Sequence, residues 1–202
     1  MSDQLLIIFI RKPELGKVKT RLAKETSDEV ALAVYKDLLT HTHHITKDLE
    51  VDKWVFYTDE IEFEDIWDEG NFMKMIQAEG DLGNKMQQAA FKGFGANYLE
   101  IVIIGSDIEE LSTEILEDAF EQVKQQTVIG PAEDGGYYLL GLNEPRTDLF
   151  TNKQWGTDSV LRDTLINLEN EEIFLLDELN DIDYLEDIEE DSALYHHVKN
   201  YK

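Results

Sequence analysis

The chain has no cysteine among its 202 residues, which removes disulfides, thiolate metal centres and a cysteine nucleophile from consideration. Any metal must be held by oxygen or imidazole. Only three prolines are present, and no Pro/Gly/Ser-rich stretch divides the sequence, so one domain over residues 1–202 is expected. The apolar run near the start, Leu5 to Ile10, is too short for a signal or a membrane span, and Asp3 rather than a basic region precedes it. The expected location is the cytoplasm. Basic residues are scarce: 18 Lys and Arg stand against 44 Asp and Glu, a formal net charge of -26. Such a surface repels nucleic acid and anionic membranes, and neither is expected as a partner. With 42% hydrophobic residues beside 31% charged ones, the chain can still form a substantial core.

What is present alternates in period. Strands are expected at Leu5–Ile10, Lys53–Thr58, Phe72–Gln77, Glu100–Gly105, Thr127–Gly130, Tyr137–Leu142 and Glu172–Leu176. Between most of them lie helical patterns. Thr26-Ser-Asp-Glu29 has the form of a capping box before a helix through Val30, Val34 and Leu38. Leu82–Phe94 and Ser112–Lys124 carry apolar residues three and four apart. Runs such as Ile101-Val-Ile-Ile104 imply strands buried on both faces, hence a mostly parallel sheet in a three-layer α/β/α sandwich.

The scarce positive charge is concentrated. Six of the 18 basic residues fall between Arg11 and Lys24, directly behind the first strand. Pro13 and Gly16 bend this loop so that Lys12, Lys17, Lys19 and Arg21 can turn toward one point and neutralise a polyphosphate. A solvated basic turn is the plainer alternative. A P-loop is excluded because Arg11 stands where its first Gly is needed and Val18 replaces the Ser or Thr. The strand Ile101–Ile104 delivers Gly105-Ser-Asp107, and a carboxylate opposite a phosphate loop suits Mg²⁺. An Asp after a strand serves equally as a helix cap, although Ser112 is the better cap here. Gly130-Pro-Ala-Glu-Asp-Gly-Gly-Tyr-Tyr138 presents Asp134 before two glycines that permit close approach of a ligand; alone it would read as a hairpin turn. Gly80-Asp-Leu-Gly83 opens a helix, and helix amino-termini favour anions. Trp155-Gly-Thr157 offers an aromatic wall for an acceptor, or core packing.

Taken in order, Lys12-Pro-x-x-Gly-x-Val-Lys-Thr-Arg-Leu22, Gly80-Asp-Leu-Gly83, Gly105-Ser-Asp107, Gly130-Pro-Ala-x-Asp-Gly-Gly-Tyr137 and Trp155-x-Thr157 resemble small bacterial nucleotide-diphospho-sugar-transferase-like proteins, often described as glycosyltransferases. The chain is also distantly similar to guanylyltransferases of phospholactate and molybdenum-cofactor synthesis. The closing Asp181-Ile-Asp183 looks like the ending of related nucleotidylyltransferases. The resemblance implies a GT-A-like fold and a nucleotide pocket. Phosphate and nucleotide contacts would come from Lys12, Gly16, Lys17, Lys19, Arg21, Gly80, Asp81, Leu82 and Gly83. Mg²⁺ or Mn²⁺ would sit on Asp107 and Asp134, with Lys19, Arg21 and Asp107 catalytic. Gly135, Gly136, Tyr137, Trp155 and Thr157 would line the acceptor pocket. The expected reaction is glycosyl transfer from a nucleotide sugar to a small acceptor. Two alternatives stand beside it: nucleotidylyl transfer from an NTP to a phosphorylated acceptor, and nucleotide binding without catalysis. The last is motivated by Ile108-Glu109-Glu110, where the family usually has Cys-Pro.

Two segments read more plainly. His41, His43 and His44 form a polar face near a helix carboxyl end, or at most a weak metal site. Asp177–Asp191, with Leu179, Ile182, Leu185 and Ile188 three apart, is expected as an amphipathic, solvated element on the far side of the sheet. It lacks the turn glycine of an EF-hand.

Overall fold

Leu5 to Ile8 are all fully buried, as a continuous apolar run requires when helices cover both faces of a strand. The computed structural model describes residues 2–202. The elements in chain order are β1 (Gln4–Ile10), α1 (Thr20–Glu25), α2 (Asp28–Thr46), β2 (Asp52–Tyr57), β3 (Met73–Ile76), α3 (Leu82–Gly95) and β4 (Glu100–Ile104). There follow α4 (Thr113–Gln122), β5 (Thr127–Pro131), β6 (Tyr137–Leu142), α5 (Val160–Asn167), β7 (Ile173–Leu175) and α6 (Tyr195–Val198). All seven expected strands form. They build one sheet in the order β3-β2-β1-β4-β6-β5-β7. Only β6 runs antiparallel to its neighbours, β4 and β5.

The period of two along β1 sorts side chains into two layers. Leu5 and Ile7 pack with Met86, Ala89 and Ala90 of α3 and with Leu149 and Phe150. Leu6, Ile8 and Ile10 pack on the other face with Tyr35 and Leu39 of α2 and Leu116, Ala119 and Phe120 of α4. Helix α3 lies so close that a Cβ on Gly93 would come within 2.6 Å of Ile101 Cδ1 and 2.8 Å of Leu5 Cδ2. A side chain there would push the helix off the sheet. The three-layer α/β/α architecture is therefore as the strand pattern implies.

The order also fixes where a ligand belongs. Strand β1 pairs with β2 on one side and β4 on the other, parallel to both. The chain leaves β1 in one direction and returns beyond it, so β1 and β4 form a topological switch point, the place where open α/β sheets hold ligands at the strands' carboxyl ends.

Two expectations need correction. The cap of α2 is Ser27, whose side chain accepts a hydrogen bond from Val30 N at 3.3 Å. Thr26 instead donates its hydroxyl to Leu22 O at 2.7 Å and closes α1. A short helix immediately upstream claims Thr26, so the cap moves by one residue. The second correction concerns 177–191, which is neither helical nor on the far side of the sheet. After β7 the chain continues along β5: Leu176 N donates to Ile129 O, Leu179 N to Pro131 O, and Glu133 N to Leu179 O. It then crosses the carboxyl end of the sheet. Ile182, Ile188, Leu194 and Val198 are buried against Leu22, Val34 and Leu38 in a third apolar cluster. Burial of such aliphatic side chains contributes about 1.5–3 kcal/mol each, so the strap is held by packing as well as by hydrogen bonds. Its apolar residues cover α1 and α2 instead of forming a helix face. Among the described residues no helix is long and apolar enough to cross a membrane.

Candidate functional site

The loop after β1 is shaped by its own backbone. Glu14 N donates to Lys12 O and Lys17 N to Glu14 O, and Gly16 takes a positive φ of 74° that a side chain would resist. The turn ends at Lys19, a non-glycine residue at φ 43°, ψ 48°. Such a backbone costs on the order of 1–3 kcal/mol and persists only where surroundings impose it. Here they do. Lys19 Nζ lies 3.2 Å from Asp107 Oδ2 and 3.1 Å from Asp183 Oδ1, with 6% of its side chain exposed. Burial alone would favour the neutral amine, but the two carboxylates outweigh it and the pKa is raised. Arg21 reaches Asp183 Oδ2 at 2.8 Å, and its guanidinium lies 5.4 Å from the Tyr184 ring centroid.

The other two loop cations point elsewhere. Lys12 pairs with Glu60, with Glu62 at 2.6 Å and with Glu14 at 3.7 Å. The hydrogen bonds to Glu60 and Glu62 raise its pKa. Lys17 pairs with Glu14 and is mostly exposed. The four cations therefore do not converge. They divide into two pairs: Glu14 of the same loop and Glu60 and Glu62 after β2 hold Lys12 and Lys17, whereas Asp107 after β4 and Asp183 of the C-terminal strap hold Lys19 and Arg21.

Strand β4 ends at Ile104, and Gly105-Ser-Asp107 follows. Tyr35 of α2 holds this corner to the loop after β1, accepting from Arg11 N at 2.8 Å and donating to Arg11 O at 3.1 Å. Its hydroxyl is also 3.4 Å from the buried Ser106 Oγ. Ile182 N donates to Asp107 O at 3.0 Å. That bond brings Asp181 and Asp183, the neighbours of Ile182, up to Asp107. Carboxylate oxygens of Asp107, Asp181 and Asp183 lie within 4.8 Å of one another. Burial, then the charges of Asp107, Asp134 and Asp183, pushes the Asp181 carboxyl from 3.8 up to about 6. One buried ammonium does not offset this much negative charge. The donor set fits a hard divalent cation: all ligands are oxygen, and the roughly 4.2 Å across an octahedral Mg²⁺ ion with bonds of about 2.1 Å falls inside the 4.8 Å that bounds these carboxylates.

Asp134 stands outside that close group. Its Oδ1 accepts from Gly136 N at 2.7 Å, so it stabilises its own turn while its charge is felt at Asp181. Asp181 and Asp183 are the carboxylates whose place in the site composition hid, because they lie in a strongly acidic run that reads as solvated surface. The Asp181-Ile-Asp183 pattern was the available signal.

Glu109 and Glu110 are not part of the cluster either. Glu109 accepts from Ser192 Oγ at 2.6 Å and Ala193 N at 2.9 Å, and Glu110 accepts from Asn180 N at 3.2 Å. The two carboxylates thus fasten the strap that carries Asp181 and Asp183.

The remaining predicted residues surround a separate corner. Asp81 caps α3, accepting from Asn84 N at 2.8 Å, after Gly80 at φ 106°; Leu82 is exposed. At Gly83 a Cβ would meet Trp155 Nε1 at 2.2 Å and Phe150 O at 2.5 Å. Trp155 thus packs on the first turn of α3, and Tyr137 stands edge-on to it at 6.4 Å. The Tyr137 hydroxyl is buried without a protein partner, and burial raises its pKa. Gly135, at φ 83°, abuts Asp158, and its carbonyl accepts from Leu161 N at 2.9 Å. Thr157 donates to Gln154 O at 2.8 Å in the same exposed turn. The histidines of α2 are dispersed: His41 Nε2 lies 2.8 Å from Leu111 O, and His43 packs against Trp67 and Phe72.

The sequence matches the family described as "Uncharacterized protein conserved in bacteria (DUF2064)" over residues 41–157, more than half of the chain. This chain belongs to that family. Among solved structures, the DUF2064 chain superposes on a protein of Desulfovibrio desulfuricans called "putative nucleotide-diphospho-sugar transferase" with a TM-score of 0.86 and 26% identity, over 99% of this chain and 95% of that one. It is similar in fold to a 4-diphosphocytidyl-2C-methyl-D-erythritol synthase of Anaerococcus prevotii (TM-score 0.58, 11% identity, 98% and 96% of the two chains). A cytidylyltransferase of Leptospira borgpetersenii gives a TM-score of 0.59 at 14% identity over 99% and 94%. No curated protein matches the sequence. The fold of this DUF2064 protein is thus that of nucleotide-diphospho-sugar transferases.

Proposed function

We propose that this protein is a divalent-cation-dependent transferase that moves a sugar from a nucleotide sugar to a small acceptor. The observation that carries the reading is the group Asp107, Asp181 and Asp183 at the carboxyl ends of β1 and β4, with Lys19 and Arg21 beside it. Asp107, Asp181 and Asp183 would hold Mg²⁺ or Mn²⁺, and Asp134 adds negative charge at the rim. The bound ion would stabilise the charge that develops on a departing nucleoside diphosphate. Lys19 orients Asp107 and Asp183 from behind. Arg21, half exposed, presents its guanidinium to a phosphate oxygen. Gly80 to Gly83 take the nucleotide at the amino-terminus of α3, and Gly135, Gly136, Tyr137, Trp155 and Thr157 wall the acceptor side.

A bound divalent ion together with Arg21 would supply the positive charge that faces a diphosphate. Lys12 and Lys17, which would be wanted for a triphosphate, are bound to Glu14, Glu60 and Glu62. A second reading, transfer of a nucleotidyl group from an NTP, draws on the structural neighbour named a cytidylyltransferase and on a CMP-2-keto-3-deoxy-manno-octonic acid synthetase solved with CTP (TM-score 0.53).

Mass-spectrometric product analysis with panels of NTPs, nucleotide sugars and small acceptors, with and without Mg²⁺ or Mn²⁺, separates the readings. Glycosylated product requiring metal and lost in Asp183→Asn is expected. Nucleotidylated product would favour the second reading. Nucleotide binding without metal dependence, unchanged in Asp107→Asn, would leave only a non-catalytic nucleotide-binding protein.

A further inference from the structure

A second group of metal-binding side chains lies outside this site, where the C-terminal strap meets α2. Asp37 comes from the middle of α2, and His196 and His197 from α6, yet one ligand atom of each lies within 4.8 Å of the others. His197 Nε2 is 2.8 Å from Asp37 Oδ2. His196 Nδ1 is 2.7 Å from Ala193 O. A carbonyl only accepts, so Nδ1 carries the proton and the lone pair is on Nε2, the arrangement in which a backbone carbonyl orients a ligating histidine. The two imidazole rings lie against each other with centroids 3.8 Å apart, and side-chain rotation that opens this stack would turn both toward one cation. The two elements are already fixed to each other, since Leu194 and Val198 are buried against Val34 and Leu38. No rearrangement of the backbone is needed to bring the donors together.

We infer that Asp37, His196 and His197 form a site for a divalent transition-metal ion of the zinc class, completed by water and clamping the strap to α2. Two imidazole nitrogens and one carboxylate select zinc, cobalt, nickel or copper over Mg²⁺ and Ca²⁺, which prefer oxygen alone. A fourth, water-filled position is ordinary for a three-ligand tetrahedral ion. The ion takes the place of the proton that now joins His197 to Asp37, and that proton leaves Nε2 when metal binds. Because the same strap carries Asp181 and Asp183, the clamp tethers their segment to the scaffold. The inference does not depend on the transferase reading.

Co²⁺ titrated into the full chain without an affinity tag, in excess Mg²⁺ to occupy the all-oxygen cluster, tests it by d–d absorption and by the thermal midpoint. One saturable tetrahedral band per chain is expected, with a rise in midpoint. His196→Gln, His197→Gln and Asp37→Asn should each weaken Co²⁺ by at least about tenfold, since loss of even an outer partner of a ligand costs about 10–100-fold. Asp37→Asn lies on α2 and tests the site independently if changes in α6 disturb folding. Asp107→Asn should leave the band intact. No saturable band in the wild type, or a band that survives all three variants, would overturn the inference.

Discussion

The two halves of one basic loop meet different fates. Lys12 and Lys17 are tied by surface ion pairs to Glu60, Glu62 and Glu14, whereas Lys19 is buried between Asp107 and Asp183 and its neighbour Arg21 caps the same carboxylate. An exposed pair contributes little because water competes for both partners. A buried one raises the stakes, since removing either partner strands the other charge. Clustering of like charges in sequence thus identified the loop, but burial decides which of its members can matter.

The sharpest test of that contrast is Lys19→Ala, which should lower transferase turnover about 10²-fold, the scale of misplacing groups that a neighbour positions. An equal loss in Lys12→Ala, measured side by side, would break the comparison. Next in size is the paired change Glu109→Ala and Glu110→Ala, which unfastens the strap while leaving Asp107, Lys19 and Arg21 in place. Weaker metal activation by about tenfold is expected, read as a shift of the Mg²⁺ activation curve; an unchanged curve would mean that packing of Ile182 and Ile188 is sufficient.

A smaller effect concerns stability. Asp181 is raised from 3.8 to about 6, so its folded form prefers the proton. That favourable contribution is complete below the unfolded value of 3.8 and is lost as pH rises through about 6. Asp181→Asn should therefore stabilise the metal-free protein above neutrality, by on the order of 1–2 kcal/mol after solvent screening. The gain should fade in acid and shrink with Mg²⁺. Thermal melts across pH check this, and a gain independent of pH would contradict the charge argument. Smallest is Lys17→Ala, expected to change stability by less than about 1 kcal/mol and activity by no more than about twofold, against which the Lys19 loss is to be measured.

Much of this molecule was legible before any coordinates. Seven strands, the cap at Ser112, the mostly parallel sheet and the position of Asp107 after β4 follow from local patterns of period and capping. Other features resisted for identifiable reasons. Thr26 and Ser27 are both good caps, and only α1 ending on Leu22 O assigns them. Residues 177–191 carry apolar side chains three apart, which reads as a helix, yet those side chains fill a groove over α1 and α2. Glu109 and Glu110 look like surplus acid beside a metal ligand until their partners on the strap are seen.

Sequence alone determined the layers, because alternation of apolar residues is a local property that each strand and helix expresses with its nearest neighbours. It also concentrated cations behind β1. Only the tertiary structure decided which cations face which carboxylates, because Lys19 meets Asp183 across 164 residues and Lys12 meets Glu60 across 48. Carboxylates in a chain of net charge -26 look alike one by one. Burial and mutual distance, which separate Asp181 from its many exposed counterparts, exist only after folding.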